Sequence, residues 1–240
     1  MSHAAASHAL HCLDCGLHKL CFPPTFSNEA LDSVAAIIGQ PPVLPRQHVI
    51  YRSGDNADTI YAVRSGSAKT SMLLPDGREL VTGFYLPGEV MGLENLGQEH
   101  CLSTATTLEP TTVCALPMAE VSQLSRQLPE LQGHLFQIMS TEIRADYQRM
   151  HLLAGTDADT RVAGFLVGLS ARQTRRRLAG DNLRLPMARA DLGSHLGLAL
   201  ETVSRALGRL ADVGLITVSG KQIRILDAGG LQAIAAAQCA

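Results

Sequence analysis

A chain of 240 residues, 46% hydrophobic and without tryptophan, is long enough to bury a core with no help from disulfides. It contains no run of about 18 apolar residues, which argues against a membrane-spanning helix. His3, Ser7, His8 and His11 interrupt the N-terminus before it reaches the apolar length of a signal peptide, so the expected location is the cytoplasm, with thiols reduced.

The net charge of −2 hides an asymmetry. Residues 1–160 carry nine Lys/Arg against seventeen Asp/Glu, and residues 161–224 carry eleven against four. An acidic front and a basic back suggest two domains, the second facing a polyanion. A solvated basic face would give the same block, so charge alone leaves both readings open.

In chain order, the first feature is "HALHCLDCGLHKLCFP", residues 8–23, with Cys12, Cys15 and Cys21 close together. A reducing compartment disfavours a disulfide. Zinc on these three with His11 or His18, or an iron–sulfur cluster, remain open from the residues alone. From about 43 to 118 short β-favouring runs alternate with turns at Ser65-Gly66 and Pro75-Asp76-Gly77, which predicts a small antiparallel barrel or roll. Near Met118 the pattern becomes helical. A stripe of Leu135, Met139, Ile143, Asp146, Met150 and Leu153 steps by three and four, close to a coiled-coil seam with Asp146 where an apolar residue belongs. The next helix is expected to start near Asp157 or Asp159.

"RADLGSHLGLALETVSRALGRLADVGLI" then reads as a helix-turn-helix. Gly193 lets two helices approach and Gly197 supplies the turn. The second helix, starting near Leu200 or Glu201, presents Glu201, Thr202, Ser204, Arg205 and Arg209. Glu201, Ser204 and Arg205 share one face, and each side chain suits a base edge in the major groove. "LITVSGKQIRIL" follows as two strands around Ser219-Gly220-Lys221-Gln222, the wing of a winged helix. No base–nucleophile arrangement stands out, and the chain is not expected to be an enzyme.

Roll, seam helix and winged helix together resemble the Crp/Fnr superfamily of bacterial transcription regulators. "GEVMGLENL" and "LGLALETVSRALGRL" carry the resemblance most strongly. The N-terminal Cys-x2-Cys-x5-Cys is similar to that of the oxygen-sensing FNR branch. The resemblance implies an α+β fold: an N-terminal cyclic-nucleotide-binding-like β-roll, a long dimerisation helix and a C-terminal winged helix-turn-helix. It implies a cluster-binding segment at 1–27, a sensory roll at 28–127, the dimerisation helix at 128–155 and the DNA-binding domain at 156–240.

It also implies one [4Fe-4S] cluster per subunit on Cys12, Cys15, Cys21 and Cys114, the last in "TTVCALP". A homodimer would form along Met139, Ile143, Asp146, Met150 and Leu153, bind a TTGAT-type palindrome in duplex DNA, and act with RNA polymerase. Oxygen would destroy the cluster and return the protein to monomers. Cys101 and Cys239 match no ligand position, and they read as a passive strand residue and a tail thiol. A cyclic-nucleotide sensor is the alternative within the fold. Such sensors place an Arg-Ser pair on the cyclic phosphate, and no Arg lies between Arg78 and Arg126. A zinc-binding regulator is the other alternative.

Overall fold

Between residues 43 and 117 the short apolar runs form eight strands: β1 (Val43–Leu44), β2 (Val49–Tyr51), β3 (Thr59–Ser65), β4 (Ala68–Leu73), β5 (Glu79–Tyr85), β6 (Val90–Met91), β7 (Thr104–Thr107) and β8 (Thr111–Pro117). This computed structural model describes residues 12, 14–15, 17–22, 25–38, 42–154 and 156–236. The strands make two four-stranded sheets, ordered β1-β8-β3-β6 and β2-β7-β4-β5. Tyr51, Val63, Ala68, Met91, Ala105 and Val113 come from both sheets and bury a common core, as expected of a roll. The turns fall where Ser65-Gly66 and Pro75-Asp76-Gly77 predict them.

Gly66 is needed for two reasons. Its φ is +78°, and a Cβ there would lie 2.4 Å from the Pro110 carbonyl oxygen and 2.5 Å from Thr111 Oγ1. That close approach lets the Ser67 amide donate to Thr111 Oγ1 at 3.1 Å while the Thr111 hydroxyl donates to the Ser67 carbonyl at 3.0 Å.

The chain divides into two compact units: residues up to Thr70 with Phe84–Met139, and Ser71–Gly83 with Ser140 onward. In the first, α1 (His18–Cys21) is a single turn, and α2 (Asn28–Ile38) starts where Ser27 Oγ accepts from the Ala30 amide at 3.2 Å. Sequence reading left α2 unassigned. After the roll come α3 (Met118–Gln127) and α4 (Pro129–Leu153). They separate at Leu128 because Pro129 forces its predecessor out of the helical region and itself suits a first helical position. Phe26, Ala30, Leu31 and Val34 pack against Leu131 in a second core, joined by Phe22, Leu116 and Leu135. Leu135 therefore faces this core rather than the expected seam. Phe136, 61% exposed, occupies the outward position seven residues before Ile143.

In the second unit Asp157 caps α5 (Ala158–Arg175), its carboxylate accepting from the Thr160 amide at 2.8 Å. Then follow β9 (Asn182–Arg184), α6 (Arg189–Leu196), α7 (Leu200–Asp212), β10 (Ile216–Ser219), β11 (Gln222–Ile225) and α8 (Ala228–Ala236). The hairpin β10–β11 is the wing, with β9 paired to β11. Leu166 of α5, Leu192, Val203, Leu207, Ile223 and Leu231 are buried here. Gly193 and Gly197 act as read from sequence. A Cβ at Gly193 would lie 2.6 Å from the Leu198 carbonyl oxygen, and Gly197 takes the left-handed conformation, φ +63°.

Gly66→Ala combines a left-handed backbone with a clash against main chain. It is expected to cost on the order of 1–3 kcal/mol, seen as a lower unfolding midpoint of the roll. An unchanged midpoint would show that the Ser65–Ser67 turn relaxes freely.

Candidate metal centre and nucleic-acid interface

Cys12, Cys15, Cys21 and Cys114 line one cavity, with Arg64 and Leu116 in its wall and an empty volume of about 560 Å³, mouth included. Two elements bring them together. The Cys15 amide closes a turn on the Cys12 carbonyl at 3.2 Å, and the Leu17 carbonyl accepts from the Leu20 and Cys21 amides at 2.8 and 3.0 Å. Cys114 sits in β8 opposite Ala62 of β3. None of the four is in a disulfide, and all are half-buried.

Burial, followed by the neighbouring thiols, pushes Cys12 up to about 11 and Cys21 up to about 12. Burial raises Cys114 as well. The Arg64 guanidinium opposes the shift at all three. These thiols therefore hold their protons until a metal displaces them. The donor set, four sulfurs and no oxygen, suits soft thiolate chemistry, zinc or iron–sulfur. Among the described residues no three His, Cys, Asp or Glu side chains converge on a single-ion position. His11, Cys239 and the His18 side chain lie outside the described residues.

Cys101 lies elsewhere. It is buried in the roll core, just before β7 rather than in a strand, and its thiol points to the Asn56 carbonyl at 3.6 Å. Arg64 and His134 are site neighbours that sequence reading missed. His134 of α4 donates from Nε2 to the Cys21 carbonyl at 2.6 Å.

On α7, Val203, Ala206, Leu207 and Leu210 are buried, which turns Glu201, Ser204 and Arg205 outward together with Thr202 half-buried beside them. Arg205 Nε is 3.4 Å from the Glu201 carbonyl and exposed. Arg209 differs from its neighbours. Asp159 holds its guanidinium in a two-point pair, Nε–Oδ2 at 2.9 Å and Nη2–Oδ1 at 2.6 Å. Arg189 Nη2 donates to the Gly220 carbonyl at 3.0 Å, fixing the wing turn against α6.

Residues 71–83 belong to this second unit, and the edge of β5 is satisfied by side chains there. The Val81 amide donates to Ser194 Oγ at 2.9 Å, and the Ser194 hydroxyl donates to the Glu79 carbonyl at 2.7 Å. His195 Nδ1 donates to the Val81 carbonyl at 3.2 Å. Arg149 of α4 bonds the Thr82 carbonyl and pairs with Asp146 at 2.9 Å.

Comparison with known proteins agrees with this architecture. A cyclic nucleotide-binding domain matches residues 42–127 and a Crp-like helix-turn-helix domain matches 160–234. The transcriptional activator protein FnrA of Stutzerimonas stutzeri is 42% identical, with 96% of this chain and 94% of that protein aligned. The chain belongs to the Crp/Fnr family. The fumarate and nitrate reduction regulatory protein of Salmonella typhimurium is 36% identical over 95% of this chain and 91% of its own. FixK2 from Bradyrhizobium japonicum has a solved structure of this fold, with TM-score 0.76 at 30% identity, covering 83% of this chain and all but 2% of that one, 98% being aligned. In the roll Glu89 caps its own turn by accepting from the Leu86 amide at 2.8 Å. In the "EHCLSTA" stretch the Ser103 hydroxyl donates to Glu94 at 2.7 Å, so a carboxylate rather than an arginine stands beside it.

His195 yields a pH prediction. Burial, then Arg149 and Arg172, pulls its imidazole down to about 4, against an ordinary value of 6.5. The unfolded chain therefore takes up a proton that the folded unit refuses. Stability is full above pH 6.5 and falls as pH drops towards 4. The wild-type unfolding midpoint should fall more steeply across that window than that of His195→Asn. Parallel curves would mean that His195 titrates freely.

Proposed function

We propose that this Crp/Fnr regulator is an oxygen-responsive transcription factor, mainly an activator under anaerobic conditions, holding one [4Fe-4S] cluster per subunit on Cys12, Cys15, Cys21 and Cys114. The observation that carries the reading is the shared cavity, walled by three cysteines of one short segment and a fourth from β8. The names of its relatives, FnrA, anr and fumarate and nitrate reduction regulatory protein, support it. Zinc on the same thiols is the alternative, and it would bring iron-free protein with no sulfide. When bound, the cluster supplies an oxygen-labile bridge between the N-terminal segment and β8. The cysteines give up their protons to form it, and Arg64 offsets part of the resulting negative charge.

The exposed stripe of α4, with Phe136, Ile143 and Met150 each more than half exposed, is the face for a second copy. Met139, Asp146 and Leu153 complete that seam. Asp146 is exposed, and its pair with Arg149 is of the solvent-screened kind that contributes little. Two such carboxylates near a two-fold axis weaken the dimer, and the loaded protein overcomes this. The dimer then reads a TTGAT-type palindrome in double-stranded DNA through Glu201, Ser204 and Arg205, with Thr202 at the rim, and acts with RNA polymerase. Arg209, held by Asp159, sets the pose of α7 or meets the DNA backbone rather than reading bases.

The decisive measurement is iron and sulfide per chain after anaerobic purification. Cys12→Ala, Cys15→Ala, Cys21→Ala and Cys114→Ala should each lose the cluster, while Cys101→Ala keeps it. A full cluster in Cys114→Ala would overturn the assignment at that corner. Asp146→Ala should sediment as a dimer in air, without a cluster, where the wild type is a monomer. A monomeric variant would remove Asp146 from the seam. Arg205→Ala should lose about 1–3 kcal/mol of discrimination at one guanine. An unchanged ranking of single-base operator variants would count against its base contact.

A further inference from the structure

Helix α4 has two occupied faces. Leu131, His134, Leu135 and Ile138 follow the i, i+3, i+4, i+7 pattern, and all are buried or half-buried. Phe136, Ile143 and Met150 lie roughly 120° around the helix, at about 100° per residue, and are exposed. The inner face does not meet the roll alone. It meets the segment that carries the first three cysteines. Phe22, the residue after Cys21, packs against Phe26 in a tilted pair at 5.3 Å, and both rings lie about His134, at 6.1 and 6.0 Å between centroids.

The polar contact within this aromatic box is directional. His134 Nε2 and the Cys21 carbonyl oxygen are 2.6 Å apart, which requires the proton on Nε2. The other ring nitrogen, Nδ1, is buried with no hydrogen-bond partner among the described residues. A buried polar nitrogen without a partner costs free energy. Packing alone would be served better by an apolar ring. The imidazole is therefore explained by what its other nitrogen holds, the backbone of a thiol-bearing residue.

We propose that His134 is the positioning residue that ties the thiol segment to α4. Resting on the cluster reading above, it couples occupancy of the four-cysteine pocket to the placement of the dimer seam. The route is short. Cys21 is a pocket wall, its carbonyl is on His134, and two residues beyond His134 is Phe136 of the exposed stripe. A segment held at Cys21 and Cys114 fixes the carbonyl and so the helix. A segment released from the pocket leaves His134 with a mobile partner. The coupling is reciprocal, so whatever occupancy does to dimerisation, dimerisation does to occupancy.

The test uses the full chain, reconstituted anaerobically with iron and sulfide, and compares the dimer association constant of loaded and apo protein by sedimentation. In His134→Leu, iron and sulfide per chain should stay near the wild-type value while the loaded-to-apo ratio of association constants falls at least tenfold. His134→Gln, whose amide still donates, should recover most of that ratio. Hydrogen exchange in the wild type provides a reading that does not depend on a variant folding: amides of 129–139 should exchange more slowly once the cluster is loaded. A wild-type ratio in His134→Leu, or unchanged exchange over 129–139, would overturn the coupling. Loss of the cluster from a folded His134→Leu would also overturn it, leaving His134 as a support for the ligand loop only. A wild-type protein that takes up no iron and sulfide would instead sink the cluster reading on which the coupling rests.

Discussion

The two-residue period of strand β8 is the constraint on which the first unit depends. Successive side chains leave a strand on opposite faces. Val113 consequently enters the roll core with Val63 and Met91, while Cys114 and Leu116 turn to the other side. There Cys114 walls the thiol cavity, and Leu116 joins the second core with Phe26 and Leu131. One strand thus anchors the roll, supplies the fourth thiol and supports the start of α4. Slipping its register by one residue would exchange these faces and undo all three at once. The pairing with β3, which sets Ala62 opposite Cys114 and Val63 opposite Val113, holds that register from the sheet interior.

The N-terminal segment contrasts with this rigidity. Its helix α1 is one turn of four residues, too short to be stable by itself. What orders it is packing of Phe22 on Phe26, the bond from His134, and Leu20 against Gly88, where an added Cβ would come within 3.2 Å of the leucine. A short segment ordered by tertiary contacts rather than by its own helix is the kind of element whose order a ligand can change.

Much of this was readable in the residues. Short β-favouring runs broken by Ser65-Gly66 and Pro75-Asp76-Gly77 announce the roll, since turn chemistry is local. The helix-turn-helix was equally readable, because Gly193 and Gly197 answer steric demands within one motif. The misses share a different cause. Leu135 and Phe136 are both apolar neighbours, and only the core beneath α4 decides which faces inward. Helix α8, with Gly229 and Gly230 near its start, lacks a helical signature and is held by packing on α5. The pairing of Arg209 with Asp159, fifty residues earlier, is likewise unannounced by the sequence. His134 lies 113 residues from its partner carbonyl, and no periodicity announces such a bond.

The same distinction between local and distant partners separates the two ends of α4. At its start the helix is gripped through the His134 imidazole and the rings of Phe22 and Phe26. Near its end the contacts are ionic: Arg149 reaches the Thr82 carbonyl and Asp146, and half-buried His195 stays neutral beside it. A positive charge on His195 would be buried and would face Arg149 and Arg172 together, which disfavours the charged imidazole. Each end therefore depends on a histidine that donates one proton to a backbone carbonyl, Cys21 in the first unit and Val81 in the second. Arginine or lysine could donate at either place but would carry a full charge into apolar surroundings. Glutamine could donate without charge but lacks the ring that stacks on Phe22 and Phe26 at one end and on Phe165 at the other. Histidine meets both demands, once on α4 at His134 and once on α6 at His195.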